Sequence, residues 1–187
     1  MDDIIIVLHT KKELEVYMSP VRQQLLRVLA LAGSPQTPKA LSLRLGISPS
    51  SVQHHIKLLL DLGVVKVDHT EIINGITATY YAPTGATVRL GMDQSDGLNE
   101  REALALQLVQ NVLQGFGEAL RRRREATDSL EELARYGDLL TGVIHLTSDE
   151  CAGLLKGMRD FMEAHKHPGP DTVPWELAFV AYDGSEP

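Results

Sequence analysis

The sequence predicts an α+β fold: three short helices and a β-hairpin, followed by one long helix and a small β-α-β element. Three observations carry that prediction. Helix-start signals with serine or threonine before proline recur at Ser19-Pro20, Thr37-Pro38 and Ser48-Pro49, each ahead of an apolar stripe at helical spacing. An Asn74-Gly75 pair separates two β-prone runs, the strongest short-range hairpin signal. Beyond Asn99 the helical period returns and persists for about 35 residues before a strand-helix-strand pattern closes the chain.

The first helix begins at Pro20 with Ser19 as its N-cap, and Val21, Leu25, Val28, Leu29 and Ala32 form its apolar stripe up to Gly33-Ser34-Pro35. Thr37-Pro38 repeats the signal for a short second helix that buries Ala40, Leu41 and Leu45. Gly46-Ile47 turns the chain. Ser48-Pro49 then starts a third helix through Val52, Ile56, Leu59 and Leu60 to Leu62, with Gly63 suited to a left-handed C-cap. Two short helices joined by Gly46-Ile47-Ser48 have the spacing of a helix-turn-helix. Leu41, Leu45, Ile47, Val52 and Ile56 supply its small core.

On that arrangement the third helix turns Ser50, Gln53, His54 and Lys57 outward, with Ser48 and Ser51 in its first turn. Gln53 can bond an adenine edge with both amide groups, Ser50 and His54 can meet a base or a phosphate, and Lys57 can reach a phosphate or a guanine. His55 lies nearer the inner side, as a packed residue holding a local hydrogen bond. The runs Val64-Val65-Lys66-Val67 and Ala78-Thr79-Tyr80-Tyr81 flank the turn, so the hairpin forms a wing. Its tip, with Asn74, Gly75 and Thr77, reads as polar and compact enough for a phosphate backbone or a minor groove, assisted by Lys66 and His69. These features fit a winged helix-turn-helix that binds double-stranded DNA. They also fit a winged-helix protein-interaction module without direct DNA readout, because the outward face holds one lysine and no arginine.

Composition sets the wider limits. The chain has 187 residues, enough for one ordinary domain or two small ones. With 43% hydrophobic residues it is too apolar for a disordered chain, yet no run is long enough to span a membrane. The apolar stretch Ile4 to Leu8 has no basic segment before it, so a cytoplasmic protein with no membrane partner is expected. Its single cysteine, Cys151, excludes an internal disulfide framework and any multi-thiolate metal centre within one chain. The net charge of -7 is an average over unlike halves. Residues 1–91 hold nine basic and seven acidic side chains, net +2, whereas residues 92–187 hold nine and eighteen, net -9. The boundary falls in Gly91–Gly97. We therefore expect a DNA-binding domain over 1–91, and over 92–187 a dimerisation domain that is also the place for an effector.

The stretch from Arg22 to Thr84 resembles the winged-helix repressors of the ArsR kind, within the broad set of helix-turn-helix regulators that add a C-terminal domain. The matching pieces are Ser19-Pro-Val-Arg22, Thr37-Pro-Lys-Ala-Leu-Ser-Leu-Arg-Leu-Gly46, Ile47-Ser-Pro-Ser-Ser-Val-Gln-His-His-Ile-Lys-Leu-Leu59 and Leu62-Gly-Val-Val65. The resemblance implies a homodimer, a palindromic operator and transcriptional repression relieved by a signal such as a small-molecule effector. Many such repressors sense metals through paired cysteines beside the recognition helix. This chain departs from that pattern, having no cysteine between residues 38 and 63.

In the second half, Asn99-Glu-Arg-Glu102 reads as a capping box, Asn99 at the N-cap. The long helix that follows carries Leu106, Val109, Leu113, Phe116 and Leu120 as a dimerisation stripe, continued by Leu130, Leu133 and Tyr136. Arg121 to Arg124 spread over all faces of a helix, with acidic neighbours one turn away, so they read as a solvated or intersubunit surface, with phosphate contact or binding of an acidic effector as the alternative. Thr141 to Leu146 is strand-like. Thr147 and Glu150 then cap a helix with Cys151, Leu154, Leu155, Met158, Phe161 and Met162 inward, and Val173 to Tyr182 closes as a strand. Phe116, Met158, Phe161, Trp175 and Phe179 are the candidates for an effector pocket, and equally for an ordinary core. His165-x-His167 with His145 and Asp171 would make a metal site only if the fold brought them together, and helix-end histidines read first as surface groups; Cys151 reads as a small buried hydrophobe. Without a phosphate-cradling loop, a metalloprotease motif or a nucleophile elbow, neither an enzyme nor a cofactor is expected.

Overall fold

The computed structural model describes residues 4–90, 97–127, 129, 131, 135 and 137–184. They fall into two units: Met1–Ala105 with His167–Pro174, and Leu106–Lys166 with Trp175–Pro187. The first unit opens with β1 (Ile5–Val7) and α1 (Lys11–Met18), followed by α2 (Pro20–Ala32), α3 (Pro38–Leu45) and α4 (Pro49–Asp61). The hairpin β2 (Val65–Ile73) and β3 (Ile76–Pro83) comes next, then β4 (Thr87–Arg89) and the start of α5 (Leu98–Ala126). The second unit takes the rest of α5 and α6 (Ser148–Ala164).

The proline-marked helices form where the sequence places them. Thr37 Oγ1 accepts from Ala40 N at 3.2 Å, and Ser48 Oγ accepts from Ser51 N at 3.2 Å, each satisfying an otherwise orphan donor of a first turn. Gly46 stands at φ +67 and closes α3 by donating to the Ser42 carbonyl at 2.9 Å. Ser19 departs from expectation: its side chain makes no capping bond. It is also the residue that ends α1, and with φ -55 and ψ 124 it serves as a corner between two helices.

The core of the first unit is Leu25, Leu29, Leu41, Val52, Ile56, Leu59, Val64 and Val65. Helical spacing brings Leu25 and Leu29 of α2, Leu41 of α3 and three residues of α4 to one centre, each buried aliphatic side chain contributing about 1.5–3 kcal/mol. Ile6 and Val88 pack against it from β1 and β4, which pair in parallel in the register Ile5–Thr87, Ile6–Val88 and Val7–Arg89. The apolar stretch near the N-terminus is therefore a sheet strand. α1 begins with a capping box of Thr10 and Glu13, a pattern legible in the sequence that our reading passed over.

The hairpin runs from Val65 opposite Pro83 to Ile73 opposite Ile76, with Asp68 in a bulge. Asn74 (φ 50) and Gly75 (φ 78) both adopt positive φ, as the two central residues of a type I′ turn must. At the hairpin base, Gln36 and Tyr81 exchange main-chain bonds of 2.8 and 2.9 Å, and Thr84 Oγ1 donates to the Gly63 carbonyl at 2.9 Å. These bonds fix the root of the wing to the end of α4 and to the loop after α2.

The α+β architecture matches the sequence reading: a helical head with a wing, a long helix and a small C-terminal element. Its details require corrections. α5 starts at Leu98, so Asn99 lies inside the helix rather than at its cap. Its described part ends at Ala126, and Leu130, Leu133 and Tyr136 lie outside the described residues, as does Gly91–Asp96. α6 has the expected capping box of Thr147 and Glu150, but none of its side chains is fully buried: Cys151, Leu155 and Met158 are half-buried, while Leu154, Phe161 and Met162 are exposed. Neither the 141–146 segment nor the 173–182 segment joins a ladder among the described residues.

Candidate nucleic-acid interface

α4 has two unlike faces. Val52, Ile56 and Leu59 are fully buried, which pins the helix axially and rotationally. One residue on from Val52 and Ile56, Gln53 and Lys57 face solvent, together with Ser48, Ser50 and His54. Ser51 is half-buried and its main-chain N–H is used by the cap. Ser48 Oγ and Ser50 Oγ lie 3.0 Å apart, so the N-terminal turn is an ordered polar edge. The helix thus presents one side chain able to read an adenine, one cation and two hydroxyls on a rigid support.

His55 sits behind this face, half-buried. Arg22 on α2 points a guanidinium nitrogen at its Nδ1, 3.4 Å away. The same guanidinium donates to the main-chain carbonyls of Glu15, at 3.1 Å, and Val16 in the last turn of α1. One arginine therefore ties α1, α2 and α4 together. Burial holds the His55 imidazole below its ordinary pKa, and the Arg22 and His54 charges push the same way. The ring stays neutral at pH 7, and His54 meets it edge-on at 5.5 Å.

On the wing, Lys66, Asn74, Gly75 and Thr77 are all exposed. His69 is engaged on the wing itself. Its ring stacks on Tyr80 at 4.3 Å and its Nδ1 lies 2.7 Å from an Asp68 carboxylate oxygen. The Tyr80 hydroxyl donates to Glu71 at 3.1 Å, which raises its pKa. The tip is less polar than the sequence implied, because Ile72, Ile73 and Ile76 are 75%, 44% and 72% exposed. Alternation in a two-stranded ribbon leaves no second layer to cover them. The sequence reading also passed over Lys39 and Arg44, exposed cations on α3 with no carboxylate partner among the described residues. Their signal was their place on the helix that precedes the turn.

In the second unit, Leu106 and Leu113 are 60% and 49% exposed, while Val109, Phe116 and Leu120 are half-buried along the same stripe. A Cβ built on Gly137 would fall 2.8 Å from Phe116 Cε2, so glycine is what lets that segment lie against the ring. Of the other effector-pocket candidates, Met158 is half-buried, whereas Phe161, Trp175 and Phe179 are exposed. Among the described residues, one shallow depression is lined by Ala119, Arg122, Arg123 and Ala126, and another by Lys12, Glu13, Val16, Leu58, Asp61 and Leu62. Neither includes any of the five candidates. His165 stacks on Phe161 at 4.3 Å within its own helix end. No group of three or more His, Cys, Asp or Glu side chains among the described residues is placed to hold a metal ion. No described helix is long and apolar enough to cross a membrane.

Residues 17–68 match the family model described as a helix-turn-helix domain. No curated protein matches the chain. The matched stretch runs from the end of α1 through α2, α3 and α4 into β2, the elements that build the face described above. With its hairpin, the first unit is a winged helix-turn-helix domain, an architecture that supports a DNA-binding regulatory role in general.

Proposed function

We propose that this protein is a homodimeric, sequence-specific transcription regulator of the ArsR-like kind, a repressor that lays α4 in successive major grooves of a palindromic operator. The observation that carries the reading is the two-faced α4, with its polar side chains held by a helix whose other side is locked into the core. Ser48, Ser50, Ser51, Gln53, His54 and Lys57 form the reading edge, and Lys66, Asn74, Gly75 and Thr77 form the wing contact. The +2 head of residues 1–91 approaches the phosphates, while the acidic 92–187 half assembles the dimer. Leu106, Val109, Leu113, Phe116 and Leu120 recur at three- and four-residue steps and supply the seam. Dimerisation matters for affinity, since one head offers few phosphate-neutralising cations and two heads double the number.

The test is selection of bound genomic fragments by the full-length protein, followed by salt titration on the selected site. Two half-sites about one helical turn apart are expected. Replacing Lys57 by Ala is expected to weaken binding across sequences and to lower the salt slope by about one per head. Gln53→Ala is expected to cost about 1–3 kcal/mol of discrimination at one base position. Absence of salt-dependent binding would overturn the reading. It would favour the second one, a protein-interaction module, which the apolar wing tip and the acidic Asp68 and Glu71 beside it support.

A further inference from the structure

The second unit exposes what folded chains ordinarily cover. Residues 141–146 (Thr-Gly-Val-Ile-His-Leu) and 175–182 (Trp-Glu-Leu-Ala-Phe-Val-Ala-Tyr) are rich in β-branched and aromatic residues. Among the described residues the only ladders are those of β1 with β4 and β2 with β3, so both segments run without strand partners. α6, which lies between them in sequence, has apolar residues at helical spacing and not one buried side chain. Val143, Ile144, Trp175, Phe179, Val180 and Tyr182 are 88%, 68%, 59%, 42%, 63% and 86% exposed. Together with the apolar side chains of α6 this is on the order of 1,000 Å² of apolar surface, against the roughly 800 Å² that each partner brings to a stable dimer. Patches of that size on a soluble chain mark an interface.

We propose that this β-α-β element is completed by a second copy of the same chain. The 141–146 and 175–182 segments of the two copies hydrogen-bond into one intersubunit sheet, with the two α6 helices covering its face. The proposal rests on the homodimer reading above and gives the dimer a second contact besides the α5 stripe. Two features favour a second copy over another partner. An isologous contact gives every unpaired segment an equivalent partner and leaves none over, which closes the assembly at two. The area matches a standard interface between folded partners, not the smaller footprint of a single added peptide strand. Alternation places Trp175, Leu177 and Phe179 on one side of their strand, the side an overlying helix would cover.

The test combines sedimentation equilibrium with amide hydrogen exchange on the full-length protein, at concentrations above and below dimer dissociation. Exchange protection is expected in both segments at high concentration, with loss of it on dilution. Val180→Pro removes a ladder donor and Phe179→Asp puts a charge in the interface. Each occurs twice per dimer, and each is expected to raise the dimer Kd on the order of 100-fold or more. Cooperative unfolding of the head, followed in parallel, shows that the variants are folded. The proposal is overturned if both variants dimerise like the parent, or if the segments are equally protected in dilute monomer. Protection that arises only when a different protein is added overturns it as well. Leu113→Asp separates the two contacts: a dimer that resists changes in the C-terminal segments and yields to this one leaves the homodimer reading standing without the sheet. A parent chain that is monomeric at every concentration removes both.

Discussion

Replacing Arg101 by methionine should be the most damaging single change in the first unit outside its aliphatic core. The guanidinium is fully buried. Its Nη1 donates to the Leu8 carbonyl at 2.6 Å and to the Leu90 carbonyl, and its Nη2 donates to the His9 carbonyl at 2.9 Å. One side chain at the start of α5 therefore gathers the main chain leaving β1 and the main chain leaving β4. Hydrogen bonds from a charged donor contribute about 1.5–3 kcal/mol each, and carbonyls left unpaired in a buried site cost about as much. Methionine keeps the aliphatic stem, so packing changes little and the loss falls on three acceptors. Allowing for water entry, we expect about 3–5 kcal/mol, a large part of the stability of a small domain. At an urea slope of about 1.5–2 kcal/mol per molar, that is a midpoint lower by roughly 2 M. The assay is urea unfolding of the full chain followed by far-ultraviolet circular dichroism. Arg101→Lys should fall between, since its three donors sit on one nitrogen and cannot reproduce the rigid fork in which Nη1 and Nη2 reach separate carbonyls. A midpoint change under about 0.5 M for Arg101→Met, or a lysine variant equal to the parent, would refute the account of Arg101 as the tie.

Three further outcomes follow from the head. His55 is held neutral by burial and by Arg22, so its stabilising contribution is present in full above the unfolded-state pKa of about 6.5 and is lost as pH falls below it toward the folded value. Urea midpoints measured down that range should decline, and His55→Gln should flatten part of the decline. An imidazole resonance titrating at or above the ordinary value would count against this. Gly46→Ala should cost about 1 kcal/mol, because φ +67 is strained for any side chain while nothing lies within 4 Å of a Cβ there. Gly46→Asn should cost less, and an unchanged midpoint for the alanine variant would show that the turn relaxes freely. Thr37→Ala should lose about 1 kcal/mol through the missing bond to Ala40 N, with Thr37→Ser retaining most of it. Equal thermal midpoints for all three proteins would remove the cap from the account.

What the sequence determined by itself is the set of features whose physics acts within one or two turns of chain. Thr37 and Ser48 cap their helices because the acceptor and donor are three residues apart, and Asn74-Gly75 reverses the chain because both residues tolerate positive φ. Val52, Ile56 and Leu59 are buried because helical spacing puts them on one side, and that alone turns Gln53, His54 and Lys57 outward. The exposed polar edge of α4 was legible for that reason. Tertiary structure decided what depends on segments distant in sequence. Ile5–Val7 is a strand only because Thr87–Arg89 lies beside it, and Arg101 is a buried tie only because two main-chain strands end around it. Ser19 carries the same cap signal as Thr37 yet makes no capping bond, because its backbone is spent on the corner between α1 and α2. The apolar face of α6 is legible as a stripe, but period alone does not say what covers it. Local signals fix which face is apolar; only the placement of distant segments decides whether that face is buried by the chain that carries it.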